Sequence, residues 1–61
     1  MDLEIGDHLV DKTGKEYKLI EERTHQPATN KFVKEFNCQR LTDMRTMWID
    51  VETIEKVCTK L

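Results

Sequence analysis

Few residues in this chain could do chemistry, and their spacing decides more than their number. Two histidines and two cysteines stand at positions 8, 25, 38 and 58, which matches a zinc site in inventory. Structural zinc sites draw their donors in pairs about two to five residues apart, because one turn then presents two of them to one ion. His8, His25, Cys38 and Cys58 each stand alone, so no metal site is expected. Nucleophilic catalysis lacks its commonest group, since the chain contains no serine. A thiolate at Cys38 or Cys58 paired with His8 or His25 is the arrangement left. Neither cysteine has the glycine-rich turn or following helix start that would lower its pKa. Gly6 and Gly14 are too few to cradle a phosphate. Glu21 and Glu22 fall on opposite faces of a strand, and Asp50, Glu52 and Glu55 read as a solvated turn. The chain is expected to be non-enzymatic and to need no cofactor.

Surfaces remain. Trp48 with Phe36, Lys34, Arg40 and Arg45 makes a set of rings and cations able to stack on or clamp a partner. The plainer role for Trp48 is burial, because a domain of 61 residues has few large apolar side chains to spare. Two function classes follow. The first is a protein–protein interaction module (an adaptor, regulator or small inhibitor) that binds through an apolar patch or by adding a partner strand to a sheet edge. The second is a nucleic-acid or nucleotide-binding barrel, in which the basic 31–45 region meets phosphates while Phe36 or Trp48 stacks on a base. A net charge of -2 favours the first. That charge is unevenly spread: Asp2, Glu4, Asp7 and Asp11 open the chain without a base, whereas five bases outnumber two acids from Arg23 to Arg45. A homodimer is compatible with either class.

Length and composition frame these readings. One domain is expected over residues 1–61, with a thin core drawn from Leu9, Val10, Tyr17, Leu19, Ile20, Phe32, Val33, Phe36, Leu41, Met47, Trp48, Ile49, Val51, Ile54 and Val57. No apolar run approaches the ~20 residues that span a bilayer, so no membrane contact is expected and the cytoplasm is the default compartment. Cys38 and Cys58 are then reduced core thiols rather than a bridge.

The elements that position these residues are mostly strands. Gly6-Asp7 reads as a turn into a strand over His8 to Asp11. The Lys12-Thr13-Gly14-Lys15 turn follows, with Asp11 bonding forward and Gly14 supplying positive φ. Tyr17 and Leu19 are expected on one face of the returning strand with Lys18 and Glu22 on the other, and Ile20 breaks that alternation, which marks a bulge or a strand partly covered on both faces. Thr24 to Asn30, around Pro27, reads as a surface loop. Lys31 to Leu41 favours a strand with Phe32, Lys34, Phe36, Cys38 and Arg40 on one face. Leu41 to Thr46 then turns the chain into a strand over Thr46 to Val51. The last residues allow two outcomes. Asp50 can cap a helix over 50–61, giving a four-stranded sheet with a C-terminal helix. Against it, Val51, Thr53, Ile54, Val57 and Thr59 are β-branched, which favours a short 3₁₀ turn at Val51–Ile54 and a closing strand over Glu55 to Lys60.

That second outcome has a recognisable layout. Gly6-Asp7 with Leu9-Val10, the Lys12-to-Lys15 turn, and Trp48-Ile49-Asp50-Val51 leading to Ile54 resemble small SH3-like barrels of the Tudor and KOW sort. The resemblance implies a mainly β barrel of four to five antiparallel strands acting as a binding module. The aromatic cage of methyl-lysine readers is not evident, and no functional residue carries over.

Overall fold

The computed structural model describes residues 2–26 and 32–61, with the backbone but not the side chain of His25. The first turn forms as its residues dictate. Asp7 donates its N–H to the Glu4 carbonyl and its carboxylate accepts from the Glu4 N–H, while Gly6 takes a φ of 98°. Strand β1 (His8–Asp11) then runs into the hairpin, where Gly14 adopts a φ of 88°. The Asp11 carboxylate accepts from the Thr13 N–H, the Thr13 hydroxyl and the Lys15 N–H, locking the turn that leads into β2 (Glu16–His25). Strands β3 (Val33–Arg40) and β4 (Thr46–Asp50) make the second hairpin. Its turn holds Met44 at a φ of 61°, a left-handed conformation that costs a side-chain-bearing residue more than glycine.

The five strands build one open antiparallel sheet in the order β4-β3-β2-β1-β5, so the fold is mainly β with five strands. Several expectations are corrected. The 3₁₀ turn at Val51–Ile54 is a seven-residue helix, α1 (Val51–Val57), and it is not the longer 50–61 helix either, because Cys58–Lys60 forms β5. Asp50 caps α1 by accepting from the Thr53 N–H, and Glu52 and Lys56 sit at the ends that suit the helix dipole, which outweighs the β-branched load. Since α1 uses seven residues and β5 only three, β4 and β5 remain the two edges of the sheet instead of closing a barrel. Thr24 and His25 continue β2; the rest of the expected loop, from Pro27 to Asn30, lies outside the described residues.

The sheet is asymmetric. On one face the register sets Leu9 beside Tyr17, Leu19 beside Cys38, and Phe36 beside Ile49. Leu3 from the first segment and Ile54 from α1 cover that face, and Leu3, Leu9, Leu19, Phe36, Cys38 and Ile54 are the buried core. Phe36 is therefore core, not part of an exposed clamp. Phe32, Met47 and Val57, expected inside, are exposed. Trp48 is half-buried on the opposite face, across from Asn37, and stays outside the core cluster. Asn37 is buried there with no hydrogen-bond partner for its Oδ1 among the described residues.

Urea unfolding checks this arrangement. Phe36→Ala should cost about 3–5 kcal/mol, a large share of the stability of so small a domain, while Trp48→Ala stays folded with a smaller loss. Asn37→Leu should hold or raise the midpoint, because the substitution removes an unsatisfied buried carbonyl. A clear drop would mean that Oδ1 has a partner.

Candidate functional site

The bulge at Ile20 decides what the far end of the β2–β3 hairpin presents. Leu19 pairs with Cys38, yet the next paired residue, Glu21, stands opposite Asn37, so one residue is extra. Past that point the parity of β2 reverses. Glu22 comes beside Phe36 on the core side and Arg23 beside Glu35 on the other.

On the core side this leaves a groove of about 510 Å³ between the first segment and the end of the hairpin. Leu3, Val51 and Phe36 form its apolar base. Asp2, Glu4 and Ile5 rise on one wall, Glu22 and Lys34 on the other, giving three carboxylates against one ammonium. Lys34 Nζ lies 3.3 Å from the Glu22 carboxylate and 5.4 Å from the centre of the Phe36 ring. Ile5 is 59% exposed, a large apolar side chain at the rim with nothing over it among the described residues. The wall is tied down. Gly6 donates to the Leu19 carbonyl, Leu19 to the Asp7 carbonyl, and Lys60 Nζ reaches both the Asp2 carbonyl and the Asp7 carboxylate. The Glu4 N–H, more than Lys60, holds the Asp7 carboxyl below its usual pKa.

Of the five residues expected to form one interaction surface, the structure joins two: Lys34 and Phe36 meet at the groove. Arg40 and Arg45 lie at the β3–β4 turn around Asp43. Arg40 donates through Nε and Nη2 at 3.1 and 2.7 Å, and Arg45 Nε stands 3.6 Å away. Trp48 is on the other face, where the Arg23 guanidinium lies 4.1 Å from its ring centre and donates to Glu35 at 2.8 Å. The signal for Arg23 over Trp48 was hidden, because their proximity depends on the bulge. The groove's acidic wall was visible as a charge excess in the first eleven residues, but its apolar partners were not.

The remaining chemical candidates are quiet. Burial pushes the Cys38 thiol up to about 11, and burial also raises Cys58; both are free thiols held away from the thiolate form. Among the described residues no three His, Cys, Asp or Glu side chains cluster as metal ligands, and no helix is long and apolar enough to cross a membrane. No family model, curated protein or solved structure matches this chain.

Acid separates the turn contacts from the rest. Thr13 first, then backbone N–H groups and Tyr17, bring the Asp11 carboxyl to about 2, and Arg40 first does the same for Asp43. A carboxyl whose pKa is lowered on folding stabilises the fold fully above its unfolded value near 3.8, and that contribution disappears as pH falls towards about 2. The melting temperature should therefore drop between about pH 4 and pH 2. Asp11→Asn and Asp43→Asn should each flatten that drop; an unchanged slope would exclude these carboxyls as its source.

Proposed function

We propose that the protein is a non-enzymatic protein-interaction module that receives a partner's polypeptide segment in the groove beside Ile5. The carrying observation is the pairing of an exposed apolar rim and base with three carboxylates and a single, already paired lysine. Such a surface complements a segment in which Leu- or Ile-like side chains alternate with Lys or Arg. The strand order and the helix carrying the chain from β4 to β5 support an SH3-like arrangement as the scaffold. The nucleic-acid reading has less support. Lys34, Arg40 and Arg45, the described cations of the 31–45 region, each stand within ion-pair distance of a carboxylate, so phosphate binding would have to displace an existing contact.

Titration followed by amide chemical shifts tests the reading. A short peptide alternating Leu and Lys should shift Ile5, Glu22 and Lys34 and bind saturably, more weakly in high salt, while its Leu–Glu counterpart does not bind. Glu4→Lys with Glu22→Lys should weaken the Leu–Lys peptide at least about tenfold, the change expected when attraction at two sites becomes repulsion. Shifts centred elsewhere would overturn the proposal. So would salt-sensitive binding of single-stranded nucleic acid that is lost in Lys34→Ala with Arg40→Ala.

A further inference from the structure

The β4 edge carries a second surface, independent of the groove. In an antiparallel ladder, residues alternate between those that exchange backbone bonds with the neighbouring strand and those whose N–H and C=O point the other way. Arg40 donates to the Arg45 carbonyl at 2.8 Å, which sets the phase. The bonded pairs are then Cys38 with Met47 and Phe36 with Ile49, so Thr46 and Trp48 turn both backbone groups outward from the sheet and Asp50 turns out its N–H, its carbonyl being taken as the N-cap acceptor of α1. An unpaired edge of this kind is a template for another strand.

We propose that this edge pairs with the same edge of a second copy of the chain, antiparallel and two-fold symmetric about Trp48. Three features favour a copy over a different partner. First, this register sets every outward residue opposite an outward residue, Trp48 opposite Trp48 and Thr46 opposite Asp50, and the central pair exchanges two N–H to C=O bonds. Second, the side chains match by face: Met47, 38% exposed, meets Ile49 of the second copy, and the half-buried Trp48 rings meet each other, burying apolar surface. Third, no like charges oppose. Within Thr46–Asp50 the only charged residue, Asp50, faces Thr46, and Arg23 reaches Trp48 from β2, two strands in from the edge. The edge also lacks the lysine or proline that commonly blocks such pairing.

Light scattering over a dilution series tests the proposal on the whole chain. The wild type should show a dimer mass that falls to the monomer on dilution, with Trp48 fluorescence shifting to the red as the rings separate. Thr46→Pro removes an outward N–H and no bond to β3, so it should give a folded monomer. Met47→Lys should do the same by placing a charge in the joint, and serves if the proline variant fails to fold. Ile5→Lys, at the groove, should leave the dimer intact while abolishing Leu–Lys peptide binding, so the two proposals fail separately. A wild type that is monomeric at millimolar concentration overturns this one and leaves the edge to a strand from another protein. A dimer that survives both edge variants overturns it as well.

Discussion

One extra residue in β2 organises the half of the molecule that holds the groove and Trp48. With Ile20 as the bulge, Glu22 is delivered to the side of Phe36 and Lys34, and Arg23 to the side of Glu35 and Trp48. An unbroken strand would exchange them, sending Arg23 towards the groove and leaving Trp48 without its guanidinium. Because side chains alternate with a period of two, a single insertion reassigns every later residue of the strand at once. The groove's negative character and the stacking of Arg23 on Trp48 are two results of the same local irregularity.

The core imposes the next constraint. Among the described residues six buried apolar side chains form the core, and two of them, Leu3 and Ile54, come from outside the strands. The first segment and α1 act as the cover on one face of the sheet, and without them Leu9, Leu19 and Phe36 would meet water. This is why the first segment is fastened at several points, through Gly6, Asp7 and Lys60, and why a groove forms where it passes the hairpin. A domain with so little to bury leaves its open surfaces at seams and edges, where exposure costs no core contact.

Charge is organised by pairing rather than by patches. The basic middle of the chain, which in sequence looks like an electrostatic footprint, is mostly turned against carboxylates. Glu22 meets Lys34, Glu35 meets Arg23, and Asp43 gathers Arg40 and Arg45. Exposed pairs of this sort add little stability, but they fix where unpaired charge is left on the surface. At the groove the carboxylates of Asp2 and Glu4 have no ion pair of their own among the described residues to match that of Glu22.

The sequence by itself determined the first turns, since local chemistry is sufficient for them. Asp11 and Gly14 specify the first hairpin and Asp7 and Gly6 the turn before it, whereas the sequence left open both a helix against a 3₁₀ turn after Asp50 and a bulge against a doubly covered strand at Ile20. Only the tertiary structure decided which rings are core. Phe36 stands between Glu35 and Asn37, and Trp48 between Met47 and Ile49, so each strand offers two faces, and only the cover supplied by Leu3 and Ile54 makes the Phe36 face the core and leaves Trp48 on the other. It also decided the burial of Asn37, the divorce of Arg40 and Arg45 from the groove, and the identity of the edges. Each of these depends on contacts between residues distant in the chain, and no local periodicity encodes which face a distant segment will cover.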